Sequence, residues 1–201
     1  HLTLKVSTDL LKNQNQFLEL EVQRRLEEVH DIQDVTILTM ASLAETRDNE
    51  TGNHIRRTQN YVKTLAQTLK THPRFSHYLS DEQIEMLYLS APLHDIGKVG
   101  IPDQILLKPG RLDSTEFEIM KTHTTLGYQS ILSASERLSA GSSFLTCAME
   151  IALSHQEKWD GSGYPQGLKG QDIPLAARIV AIADVFDALT SKRPYKEAWP
   201  L

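Results

Sequence analysis

The stretch Pro174-Leu175-Ala176-Ala177-Arg178-Ile179-Val180-Ala181-Ile182-Ala183-Asp184-Val185-Phe186-Asp187-Ala188-Leu189 decides how this chain folds. Proline suits the first position of a helix, where its missing N–H would have had no partner anyway. No glycine or further proline interrupts the run before Leu189, so it reads as one helix. Outward from it the same pattern recurs. Glycine and proline cluster around residues 92–110 and 161–174, and none precedes Gly52. The long stretches between carry helical periodicity, and no segment alternates convincingly as a strand. An all-α domain is expected.

Local signals place further helices. Ser80-Asp81-Glu82-Gln83 and Asp113-Ser114-Thr115-Glu116 have capping-box spacing and should start helices reaching Asp95 and His123. Pro92 would kink the first of these or free a carbonyl just before His94-Asp95. Helices are also predicted over 34–47, ending near Thr46-Arg47-Asp48, and over Ser142 to Gln156. Another runs from near Asn53 to Lys70, with Ile55, Val62, Leu65, Ala66 and Leu69 as its buried stripe. In the opening stretch, Leu4, Leu11, Leu18, Val22, Val29 and Ile32 form a seam with a period of about 3.5 residues, interrupted by Thr8, Asn15 and Arg25. The long N-terminal helix is read as a dimerising stalk over residues 1–35, giving a homodimer and relaying a signal from an upstream sensor or receiver module. The alternative is an amphipathic helix lying on its own domain. The domain proper is expected over 36–201.

With 201 residues, 40% apolar and 23% charged, the chain is unlike disordered, collagen-like or disulfide-stapled proteins. No run of about 18 apolar residues exists to span a membrane. The opening His1-Leu2-Thr3-Leu4-Lys5 lacks a signal peptide's layout and an initiator Met, so a fragment of a longer, cytoplasmic protein is expected. One cysteine, Cys147, excludes internal disulfides and reads as a buried small hydrophobe. The net charge of -5 disfavours broad contact with extended nucleic acid. A local cluster of cations can still hold a small anion.

Chemistry-bearing residues gather in a few places. His1, His30, His72 and His77 lack a partner at ligand-like spacing and read as surface or packing residues. Glu50 and His54 are four apart, His94-Asp95 is an adjacent pair, and His123 and His155 each lie near a predicted helix end. Asp184 sits in the apolar run quoted above, where a carboxylate must be paired, protonated or bound to metal. Imidazole with carboxylate favours Fe, Mn, Zn, Ni or Co over Ca or Mg. Glu50, Asp95 and Asp184 would set about -3 against about +4 from two divalent ions, and the residual positive charge suits a phosphate. The glycines at 161, 163, 167 and 170 lack Walker or dinucleotide-fold spacing and read as turn formers that place Tyr164. Trp159 is expected to pack rather than stack on a base, and Asp160 to steady the loop through an Asx turn.

The strings Glu50-Thr51-Gly52-Asn53-His54-Ile55-Arg56-Arg57, His94-Asp95-Ile96-Gly97-Lys98-Val99-Gly100-Ile101-Pro102-Asp103, Met120-Lys121-Thr122-His123, His155-Gln156-Glu157-Lys158-Trp159-Asp160-Gly161-Ser162-Gly163-Tyr164-Pro165 and Asp184 through Tyr195 resemble the HD-GYP family. That family is a branch of the HD metal-dependent phosphohydrolase superfamily. The resemblance covers about residues 36–201. It implies an all-helical bundle with two or three divalent metals, chiefly Fe or Mn. It also implies hydrolysis of a cyclic dinucleotide, chiefly cyclic di-GMP to linear pGpG and in some members on to GMP. The implied metal ligands are Glu50, His54, His94, Asp95, His123, His155 and Asp184. From two-metal chemistry, Asp95 is expected to bridge two of the ions, with a hydroxide held between them as the nucleophile. Lys98 matches the lysine near the scissile phosphate, Tyr164 a substrate contact, and Arg193 and Lys196 the residues holding phosphate oxygens. Gln156 stands where the family usually has a second histidine. It is a poorer ligand, so a third metal does not follow from Glu50 alone. A degenerate, binding-only domain and a phosphodiesterase for mixed cyclic GMP-AMP are the competing readings. Family domains continue past the Arg193-Pro194-Tyr195-Lys196 signature, so the domain is expected to be truncated at its C-terminal end.

Overall fold

The computed structural model describes residues 2–47, 53–137 and 142–191, with side chains from Leu11 onward. Every regular element among them is helical. None is long and apolar enough to cross a membrane. By contact the chain falls into two units, residues 1–36 and 37–201.

Helix α1 runs unbroken over Leu2–Glu45. The separate helix expected over 34–47 is therefore its continuation, because no glycine or proline intervenes to stop propagation. In the first unit Leu11, Leu18, Val22, Val29 and Ile32 leave 49–60% of their surface exposed. Arg25, on the same seam, pairs with Glu21 and Glu28 along the helix.

In the second unit, α2 (His54–Lys70) buries Ile55, Val62 and Ala66 of its predicted stripe, leaves Leu65 and Leu69 half-buried against the core, and adds His54, Thr58 and Gln59 to the buried face. Helix α3 (Asp81–Ser90) opens on the Ser80 hydroxyl, which accepts from the Gln83 N–H at 3.1 Å. It stops before Asp95. Pro92 has no N–H to offer the Tyr88 carbonyl, and the Gln59 side-chain amide donates to that carbonyl instead at 3.0 Å. A 3₁₀ turn, Ala91–Leu93, leads into His94-Asp95, and a second covers Ile96–Gly100.

After the short α4 (Asp103–Leu106), α5 (Ser114–Lys121) starts with both bonds of the capping box between Asp113 and Glu116. Helix α6 (His123–Ser135) follows directly, so His123 begins a helix that the sequence signals do not mark. Helix α7 (Ser143–Ser154) is capped by Ser142, whose hydroxyl accepts from the Leu145 N–H, and ends one residue before His155. Helix α8 covers Leu175–Thr190, with Pro174 just outside it at φ -50, ψ 138 rather than at its first position.

Val62, Ala66, Leu87, Ile151, Ile179 and Val180 join α2, α3, α7 and α8 in one core cluster. Leu93, Ile131, Ala148 and Ala152 form a second between α6 and α7. Gly97 sits so tightly against the His123 carbonyl and the Gly127 N–H that there is no room for a Cβ. That contact seats the segment after His94-Asp95 on α6.

Candidate metal centre

Each histidine of the centre leaves a helix end or faces the core, and each spends one ring nitrogen on the protein. His94 Nδ1 lies 2.9 Å from the Ala91 carbonyl, His123 Nδ1 2.7 Å from that of Met120, and His155 Nδ1 3.1 Å from that of Ile151. A carbonyl can only accept, so these Nδ1 atoms carry the proton. His54 Nδ1 faces Asp187 Oδ2 at 2.8 Å. In neutral rings each Nε2 then presents a bare lone pair, the arrangement by which outer partners orient metal-binding imidazoles.

Those lone pairs converge on two positions. His54, His94 and Asp184 form one group with ligand atoms within 4.8 Å of one another, and Asp95, His123 and His155 form a second to the same limit. Asp95 Oδ1 lies 3.3 Å from the Nε2 of both His123 and His155, and these two nitrogens are 3.5 Å apart. Asp95 Oδ2 is 3.6 Å from His94 Nε2. Asp95 thus stands between the groups. His94 Nε2 is buried with no hydrogen-bond partner among the described residues. Three acceptors crowded together without a proton between them repel, and a cation removes that repulsion. The donor set, imidazole nitrogen with carboxylate oxygen, fits divalent transition ions.

The local field favours an ionised carboxylate at Asp95 and a neutral ring at His155, whereas His94 leans toward its protonated form, whose proton a cation would displace. Burial works against the charged form of Asp95, but Lys98 and His94 outweigh it and hold its carboxyl well below the usual range. Burial pushes His155 down, toward the neutral imidazole that binds metal. Burial also opposes charge on His94, yet Asp95 and Asp184 prevail and raise it. Lys98 Nζ lies 2.7 Å from Asp95 Oδ2. Burial lifts the Tyr164 hydroxyl to about 12, with Asp95 adding to the effect, so it faces this centre as a protonated donor.

Several residues here escape a reading of the sequence. Asp187, 1% exposed at its side chain, is the more deeply buried aspartate of α8; Asp184 is 22% exposed. Asp187 takes Arg57 Nε at 2.6 Å as well as His54. Its signal was the i, i+3 spacing from Asp184, matched by His54 and Arg57 on α2. Glu157 is buried and accepts from the N–H groups of Gln166, Gly167 and Leu168, which shapes the loop carrying Tyr164. Glu45 lines a cavity of about 20 Å³ with His54, His94, Asp95 and Lys98. Arg47 donates to the Val99 and Ile101 carbonyls and reaches Asp103 Oδ1 at 2.5 Å, bracing the segment after Lys98.

Gln156 contributes its main-chain carbonyl, which accepts from the Tyr164 N–H at 3.2 Å. Gly163 packs against that carbonyl and the Lys158 N–H too closely for any side chain. Asp160 makes the expected Asx turn with the Ser162 N–H at 2.9 Å. Trp159, expected to pack, leaves 57% of its surface exposed beside the Arg178 guanidinium. Glu50, Arg193 and Lys196 lie outside the described residues.

Fold and site together define a class, an all-helical domain with clustered histidine and aspartate groups that could hold divalent metals. Residues 38–201 match the HD domain family, and the chain belongs to that family. It is 55% identical over 197 residues to a Vibrio cholerae protein named a probable cyclic di-GMP phosphodiesterase, covering 98% of this chain and 45% of the relative. It is 44% identical over 163 residues to the 3'3'-cGAMP-specific phosphodiesterase 2 of Vibrio cholerae, covering 81% and 28%. It is 41% identical over 200 residues to the cyclic di-GMP phosphodiesterase response regulator RpfG of Xanthomonas campestris, covering 100% and 49%. The chain spans half or less of the length of these relatives.

Proposed function

We propose that this chain hydrolyses a phosphodiester bond of a cyclic dinucleotide, with cyclic di-GMP opened to linear pGpG as the leading reaction. The observation that carries this reading is the convergence of four Nε2 lone pairs with Asp95 and Asp184. The names of the relatives support the substrate class.

His54, His94 and Asp184 would hold one divalent ion and Asp95, His123 and His155 another, with Fe or Mn as the favoured species. Bound there, such ions lower the pKa of water and neutralise charge at phosphorus. Asp95, ionised and shared between the groups, sets their spacing. Lys98, paired with Asp95, is placed to give a proton to the departing ribose oxygen. The protonated Tyr164 hydroxyl donates to a phosphate oxygen or base edge, and Arg193 and Lys196 neutralise the non-bridging oxygens. The exposed seam of α1 supports a parallel homodimer, with valine and leucine on alternate seam positions and Asn15 setting register. The name of the response regulator relative supports a receiver module upstream in the full-length protein. A lone buried cysteine suits the reducing cytoplasm.

The test is product formation from cyclic di-GMP and 3'3'-cGAMP by the full chain loaded anaerobically with Fe or Mn. Asp95→Ala should lose turnover and most bound metal together. Normal turnover by a metal-depleted Asp95→Ala sample would overturn the mechanism. The glutamine at 156 favours one second reading, a binding-only sensor, which tight binding without product would establish.

A further inference from the structure

No residue of α5 is buried, although the helix carries Phe117, Ile119 and Met120. Met120 finds partial cover against the Ile101, Ile105 and Leu106 cluster. Phe117 does not, and leaves 46% of its surface exposed. Its ring instead meets Tyr164 edge to face, with centroids 6.1 Å apart at 84°. Tyr164 in turn meets the His123 ring at 6.2 Å and 85°. A continuous row of rings therefore leads from solvent to the second metal group. Lys121, four residues on from Phe117 and so on the same helix face, holds its Nζ 5.5 Å from the Phe117 centroid and 5.8 Å from that of Tyr164.

We infer that Phe117, Lys121 and Tyr164 form a wall beside the metal centre on which a nucleobase of the substrate stacks while Lys121 meets its phosphate. This rests on the cyclic-dinucleotide reading above. A phenyl ring half in water gains little from its own packing, and a purine laid on it would bury both faces. Stacking asks only for a π-face, which guanine and adenine both have. The wall therefore accepts either base and leaves discrimination between them to other residues. Lys121 pairs with Glu118 Oε1 at 2.6 Å, but Glu118 is largely exposed, so water screens the pair and a phosphate can replace it. The start of α5 is pinned by its capping box and by Lys108 Nζ on Glu116 at 2.5 Å, which anchors the helix that carries Phe117 and Lys121.

The test uses the full metal-loaded chain. Phe117→Ala should raise KM for cyclic di-GMP about 5- to 150-fold, the range for losing one stacked base, with a smaller change in kcat. Phe117→Trp should keep KM near that of the wild type. Lys121→Gln should raise KM and weaken its dependence on salt. In the metal-free Phe117→Trp chain, cyclic di-GMP should quench the added indole fluorescence. Unaltered melting temperatures exclude a folding defect, and if Phe117→Ala melts early, Phe117→Leu takes its place. An unchanged KM in these variants, with active wild type, would overturn the wall. A wild-type chain without turnover would instead overturn the hydrolase reading, and the quenching result would then decide the wall alone.

Discussion

At the scale of single residues, four histidines give Nδ1 to the protein and keep Nε2 for the site. Three use main-chain carbonyls three or four residues back, a local device. His54 differs, because its partner is Asp187, 133 positions away, which Arg57 also holds. Breaking a buried pair leaves an uncompensated charge. Arg57→Ala should therefore destabilise the chain by about 3 kcal/mol, the lower end of the buried range because the guanidinium is partly solvated, as read from urea unfolding. The Asp187 carboxyl resists burial through Arg57 and His54, which hold it below its ordinary 3.8. A depressed carboxylate contributes its full stability above the unfolded value and loses it as pH falls through the folded one. The gap between wild type and Arg57→Ala should thus be full at pH 7 and close below pH 3.8. A gap independent of pH would count against this pairing.

At the scale of elements, the site depends on where helices stop. Helix α3 ends at Ser90 because Pro92 withdraws a donor, and Gln59 on α2 covers the carbonyl so released. That exchange ends the α-helix ahead of the pair: His94 keeps helical angles at φ -55, ψ -41, Asp95 leaves them at φ -104, ψ 12, and the segment is tied to α2. The 3₁₀ segment Ile96–Gly100 then lies on α6 through Gly97, whose close neighbours are backbone atoms that cannot swing away. Gly97→Ala should cost about 1–3 kcal/mol, lower the melting temperature, and reduce bound metal by displacing His123. Full metal content in that variant would show that the contact does not position the site. Capping boxes, Pro92 and the Asx turn at Asp160 were legible in the sequence because each acts within four residues. The start of α6 at His123 was not, because it has no capping side chain to mark it.

At the scale of the whole molecule, the two units ask different things of their apolar residues. Residues 37–201 bury theirs around α2, α3, α7 and α8, whereas the α1 seam stays exposed. A lone helix with such a stripe gains by pairing with a second copy. Leu18→Lys should convert the chain from dimer to monomer in sedimentation velocity while leaving the melting of the second unit unchanged. A wild-type chain that sediments as a monomer would remove the stalk reading.

By itself the sequence determined the helical class, most helix starts, and the residue types able to bind metal, because periodicity, capping and turn chemistry are encoded within a few positions of the chain. Tertiary structure alone decided which of the two aspartates of α8 is buried and which faces the site. It alone brought Arg57 and Asp187, Arg47 and the Lys98 segment, and Phe117 and Tyr164 together. Those meetings depend on how α2, α5 and α8 pack across long sequence separations, and no local pattern carries that distance.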